Sequence, residues 1–281
     1  MAESLPSPLR LLVRQVGYQN RKFRRVPVAA FFTLAFPLIF LLLFGTIYGD
    51  GEIFARGHLM KFTQFYAPGL AVFTAVSATY TNIGISTAID RDEGILRRVR
   101  STPLPRWVYL GGVVTSGVSI ALVGALIMLF VGIGLYGVEV NVGGLPAAAT
   151  TFLVGTGSFA MLGLALAALA PSGQSSPALA NATILPVAFV SDVFIPIGDA
   201  PGWLRFIGNV LPLKPFVEAF SNAFDPFQAG SMWDLTLLVR IGAWGMFGAL
   251  VAAWRFRWDP SVGSAGRRRR GPLVRRSQSI S

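Results

Sequence analysis

Long runs without a single charge dominate this chain. Val26 to Gly49, Phe62 to Ile89, Trp107 to Val138 and Val140 to Ser191 contain no Asp, Glu, Lys or Arg. A helix rising 1.5 Å per residue needs about 20 apolar residues to cross roughly 30 Å of hydrocarbon, so each run is long enough to span a bilayer. The last of them is divided by Pro171-Ser172-Gly173-Gln174-Ser175-Ser176-Pro177, which breaks a helix. A further run, Leu235 to Trp254, holds one charge, Arg240. The pattern predicts an all-α membrane protein with six transmembrane helices near 26–48, 67–89, 107–136, 147–170, 177–197 and 235–256. Composition agrees, with 53% hydrophobic and only 13% charged residues and a mean hydropathy of +0.59. That is about half the charged fraction of a soluble domain.

Basic residues flanking spans predict the orientation. Six precede the first span (Arg10, Arg14, Arg21, Lys22, Arg24, Arg25), five follow the second (Arg91, Arg97, Arg98, Arg100, Arg106), and eight lie beyond the sixth. Only Arg56, Lys61, Arg205 and Lys214 fall on the other side, so both termini are expected in the cytoplasm. The first run lies behind those six basic residues and lacks a cleavage site, which argues against a signal peptide. Residues 1–25 are expected to form an interfacial amphipathic helix with a stripe of Leu9, Leu12, Val13, Val16 and Phe23; with Gly17 inside it, a frayed basic anchor is the alternative. Residues 257–281 read as a basic, disordered cytoplasmic tail. The net charge of +11 lies beside apolar runs, which points to anionic lipid headgroups and away from nucleic acid. Arginine outnumbers lysine 21 to 3 amid abundant Ala, Gly and Val, the usage of a GC-rich bacterium, so the cytoplasmic membrane of a bacterium is the expected location.

Several chemistries find no support. With no cysteine there is no disulfide framework or thiolate metal site, and His58, the single histidine, reads as a solvated loop residue. No lysine follows the glycine pattern of a phosphate-binding loop, so the chain is not expected to bind or hydrolyse ATP, or to carry any other cofactor. A membrane-embedded enzyme would need polar catalytic groups, and an ion-coupled secondary transporter several acids at mid-depth; neither set is visible. Gly124, Gly132, Gly134, Gly155, Gly157, Gly163 and Ala167 suit close helix packing. Phe31, Phe32, Phe36, Phe40, Phe62, Phe65 and Phe73 could line an apolar path or face lipid.

Two segments carry more information. Ala88 to Trp107 reads AIDRDEGILRRVRSTPLPRW: acids, then bases, then Pro103 and Pro105. This order fits the dipole of a short surface helix. A plain basic anchor accounts for the arginines but not for three acids, a glycine and two prolines. Leu185 to Leu204 reads LPVAFVSDVFIPIGDAPGWL, and Asn209 to Ala219 reads NVLPLKPFVEA. Residues 197–233 are too interrupted to span, yet apolar enough to dip into the outer leaflet, cover an external mouth or form an interfacial aromatic belt. Asp192 and Arg240, each about five residues from the outer end of its span, could pair within the membrane or snorkel separately.

Both segments resemble those of ABC-2 type permeases, the membrane subunits of ABC exporters of drugs, lipids and polysaccharides. The family's "R-x-x-G-T-L-x-R-L-R-x-T-P-L" is similar to Arg91–Leu104, with Ile95 where Thr is common. Its "G-x-F-x-P-x-x-x-x-P-x-W-L" and "P-L-x-x-x-x-E-A" are similar to the second pair of strings. Asp192 and Lys214 depart from the pattern, which favours small or apolar and hydroxyl residues there. The resemblance implies a permease that dimerises with an identical or paralogous partner and recruits two copies of a separate ATPase, which holds the ATP and Mg²⁺. It implies a coupling helix whose contacts with the ATPase are Asp90, Arg91, Asp92, Glu93, Gly94, Arg97, Arg98 and Arg100. It also implies a re-entrant outer helical pair between spans five and six acting as an exit gate, marked by Pro196, Pro201, Trp203, Leu204, Pro212, Pro215, Phe216 and Glu218.

Overall fold

The computed structural model describes residues 7–49, 51–55, 58–102, 104–198, 200–226 and 232–256; the basic segment 257–281 lies outside them. Ten helices are described: α1 Pro8–Arg24, α2 Pro27–Tyr48, α3 over residues 62–92, α4 Ile95–Arg100 and α5 Arg106–Tyr136. There follow α6 Leu145–Leu169, α7 Ser176–Phe189, α8 Gly202–Val210, α9 Leu213–Phe224 and α10 Leu235–Arg255. One departure from an all-α fold is an antiparallel hairpin between α2 and α3, β1 Glu52–Ala55 and β2 His58–Lys61, with Glu52 opposite Lys61.

Four helices are long and apolar enough to cross a bilayer: Pro27–Tyr48, Arg106–Tyr136, Val142–Leu169 and Leu235–Arg255. They coincide with four of the six expected spans. The second expected span lies within α3, which runs up the centre of the bundle. α3 is less apolar because it carries Gln64, Thr74, Ser77, Thr79, Asn82 and Thr87, yet most of these are buried among its neighbours. The fifth stops early: α7 ends at Phe189, not near 197, and its 14 residues cover only about 21 Å. The chain unwinds there because Asp192 takes a left-handed conformation (φ 56°) and its carboxylate accepts the Ile197 amide at 2.7 Å, just after Pro196.

α2 and α3 each contain one π-helical turn, Phe31–Ala35 and Ser77–Thr81, and the two turns touch. In α2 the Phe36 amide reaches back to the Phe31 carbonyl immediately before Pro37, whose missing N–H and ring would otherwise disrupt an α turn. α3 packs against α2, α5, α6 and α9, and α6 packs most extensively against α10. That last contact depends on small residues. A Cβ on Gly248 would sit 2.8 Å from the Leu162 backbone nitrogen, and one on Gly245 2.8 Å from Ser158 Cα. Of the glycines singled out from sequence, Gly124, Gly132, Gly155 and Gly163 do lie against neighbours, whereas Gly134 and Gly157 face open space.

α1 is continuous through Gly17, leaves Arg10, Arg14, Arg21 and Arg24 exposed and turns Gln15 and Asn20 toward α5. The Asn20 carboxamide oxygen accepts from Ser116 at 2.6 Å and Ser119 at 3.3 Å, and the Gln15 side chain covers Gly112 on α5. Leu9 and Val13 of the apolar stripe are left exposed, while Phe23 is buried. α1 is therefore fixed to the bundle by these polar contacts and by the buried Phe23.

Candidate functional site

One end of the bundle gathers α1, the foot of α3, α4, the start of α5 and the turn 170–175. The acidic-basic segment lies here, split by Gly94 (φ 74°). Asp90, Arg91 and Asp92 close α3, and only Ile95–Arg100 form the short helix α4. The short helix thus begins after the acids, not with them. Two carboxylates end up in the last turn of α3, where the helix dipole opposes negative charge, so they require partners.

Those partners come from four directions. Asp90, 4% exposed, pairs with Lys22 of α1 and accepts from the Tyr109 hydroxyl of α5 at 3.1 Å. Arg91, 6% exposed, donates to the Ala167 and Ala170 carbonyls at 2.8 Å each and, through Nε, to Asp92 at 3.2 Å. Asp92 accepts from the Gly173 amide at 2.7 Å. The eight residues expected to contact an ATPase therefore divide. Asp90 and Arg91 are buried inside this chain and Asp92 is half-buried. Glu93, Arg97, Arg98 and Arg100 are exposed around the half-buried Gly94. α4 is held by Leu96, fully buried with Ile83, Tyr109 and Val113, and by Val99. The Ser101 and Thr102 hydroxyls donate to the Arg98 and Val99 carbonyls and close the helix.

At the opposite end lie two short helices, α8 and α9, separated by Leu211 and Pro212. The two differ in character. α8 exposes Trp203, Phe206 and Val210, with Pro201 also exposed and Leu204 and Pro196 half-buried. α9 buries Pro215, Phe216, Val217 and Phe220, with Pro212 buried just ahead of it and Glu218 half-buried. Phe216 stacks on Phe159 of α6 and occupies the space a Cβ on Gly155 would need. Asp192 and Arg240 do not meet: the ion-pair partner of Asp192 is Lys214, at 3.6 Å, and Arg240 is exposed on α10. Asp192 also lies in a turn and not within a span.

His58 departs from the solvated role read for it. Its Nε2 lies 3.3 Å from the Asp225 carboxylate at the end of α9, beside the hairpin. The aromatic residues also divide. Phe36 and Phe40 continue with Phe44 and Tyr48 as a ladder along α2 that meets Phe62, Tyr66, Phe189 and Phe194 around a cavity of about 470 Å³. Phe65 and Phe73 are core residues, and Phe31 and Phe32 are exposed.

Lys22, Tyr109, Gly173 and Lys214 escaped the reading of the sequence as site residues. One signal was present: two of them are among the chain's three lysines, in a protein with few charges of any kind. The sequence profile of the ABC-2 type transporter family matches residues 13–224. Among relatives, the chain is 28% identical over 224 residues to the daunorubicin resistance ABC transporter permease protein DrrB1 of Streptomyces coeruleorubidus, covering 79% of this chain and 76% of that one. It is 24% identical over 210 residues to the putative transport permease ycf38 of Porphyra purpurea, covering 74% and 70%. It is 23% identical over 230 residues to the inner membrane transport permease YadH of Escherichia coli K12, covering 81% and 86%.

Proposed function

Since the chain belongs to the ABC-2 type transporter family, we propose that it is the permease subunit of an ATP-driven exporter that moves an apolar or amphipathic substrate outward across a bacterial cytoplasmic membrane. In this reading the chain crosses six times, with α3 and the short α7 as the second and fifth crossings and both termini inside. It pairs with a second permease subunit and recruits two copies of an ATPase, to which ATP and Mg²⁺ belong. α8 and α9 form the exit gate on the outer side. The drug resistance in the name of the DrrB1 relative supports a drug as substrate, and the aromatic cavity beside α2 suits an apolar one.

The observation that carries the reading is the geometry of α4. A left-handed Gly94 sets it off from α3, Leu96 fastens it, and Glu93, Arg97, Arg98 and Arg100 face outward in a patch that a protein groove could read. Purification of the tagged chain from its native membrane tests this. An ABC ATPase recovered with it at a fixed ratio is the expected outcome. A chain that transports its substrate with no ATPase attached, in conditions that preserve such complexes, would sink the proposal.

A further inference from the structure

We propose that Asp90, Arg91 and Asp92 form a transmission clamp: they bind α3, α1, the foot of α5 and the turn 170–175 into one body, so that a push on α4 reaches the ends of α6 and α7 without loss. The inference rests on the docking role of α4 given above and assigns a different role to three residues beside it.

Burial argues first. A side chain that docks onto another subunit must reach the surface, and Asp90 and Arg91 are 4% and 6% exposed. Geometry argues second. Successive residues of a helix point about 100° apart, so this run of three addresses three neighbours. Asp90 faces Lys22 and Tyr109; Arg91 faces the end of α6; Asp92 faces the loop beyond it.

The Arg91 contact is specific to a guanidinium. α6 ends at Leu169, and the last carbonyls of a helix have no intrahelical donor. Arg91 supplies two donors from one rigid fork, to Ala167 and Ala170, while its Nε holds Asp92. Asp92 in turn fixes the Gly173 amide. Gly173 lies so close to α3 that a Cβ there would stand 2.9 Å from Ile89 Cα. The turn between α6 and α7 is thereby pinned at three backbone points, 167, 170 and 173, to a single turn of α3. α4 follows after two residues and is locked to the same body by Leu96.

The chain has no cysteine, so a labelled pair can be introduced cleanly. Ser101→Cys, just beyond α4, and Gln174→Cys, in the turn, are both exposed positions. Spin labels there, in the full complex in lipid nanodiscs, report the separation with and without ATP. The expected shift is no more than one residue rise, about 1.5 Å, while the complex transports. A shift of a helical turn, about 5.4 Å, would show α4 and the turn moving separately and overturn the clamp. In a second arm, Arg91→Gln and Asp92→Asn each recover the ATPase at the wild-type ratio, lose transport at least tenfold and broaden the 101–174 distance; Arg91→Lys, with charge but no fork, shows the same pattern more weakly. Unchanged transport, or loss of ATPase recovery along with transport, overturns the assignment. If the wild-type chain recovers no ATPase, the docking role of α4 has failed, which is distinct from a complex that assembles but whose labelled pair separates.

Discussion

Lys214 Nζ lies 3.6 Å from one oxygen of Asp192, and the other oxygen accepts the Ile197 amide at 2.7 Å. One carboxylate thus terminates α7, shapes the turn leading to α8 and ties both to the start of α9. The acid in the turn is met by the base at the start of α9.

Asp192 should therefore be sensitive in a graded way. Asp192→Ala loses the bond to Ile197 and leaves a residue with a Cβ at φ 56°, a combined cost of about 1–3 kcal/mol. Asp192→Asn keeps the left-handed conformation and one acceptor, losing only the mostly buried ion pair with Lys214, and should be milder than Asp192→Ala. Arg240→Gln, on the exposed face of α10, should fall within about 0.5 kcal/mol of wild type. Thermal unfolding midpoints in one detergent rank the three; an Arg240 variant as unstable as Asp192→Ala would restore the pairing of Asp192 with Arg240.

The charges on α4 should behave in the opposite manner, altering association and not stability. Glu93→Arg, Arg97→Glu and Arg98→Glu lie on exposed positions, so each should leave the unfolding midpoint in place while weakening ATPase recovery about tenfold, the loss expected of a reversed rim charge. Raised salt should weaken the wild-type complex in the same direction. Leu96→Ala, in contrast, removes the fully buried anchor of α4 and should cost about 2–5 kcal/mol.

Glycines on different faces make a paired test of the packing. Gly248→Ala drives a methyl into the α6 backbone at Leu162 and should destabilise by about 1–3 kcal/mol. Gly134→Ala meets nothing within 4 Å on α5 and should be neutral or stabilising by up to about 1 kcal/mol. Equal effects from the two would contradict the α6–α10 interface.

Why the sequence revealed some of this and not the rest follows from the range of the forces. Long apolar runs located α2, α5, α6 and α10 because hydrocarbon solvation acts on each segment independently of its neighbours. The end of α7 was misplaced because it depends on Asp192, whose effect is exerted through Ile197 and Lys214. The acidic-basic segment was visible as a cluster, but its division at Gly94 was not: whether a charged residue faces outward or is used inward depends on Lys22, Tyr109 and Gly173, which are 68, 19 and 81 positions from their partners. Charge pattern records a site; only packing separates its surface from its support.

The His58–Asp225 contact gives the last test. Asp225 is the C-cap of α9 and 2% exposed, so its carboxylate is both desolvated and opposed by the helix dipole. The His58 ring nitrogen stands 3.3 Å away on β2. His58→Ala removes this contact and should lower the unfolding midpoint. Asp225→Asn removes the charge and should be milder, and the double variant should recover most of what His58→Ala loses. Additive losses in the double variant would mean that the two residues act independently, and that the hairpin is not held to α9 through this contact.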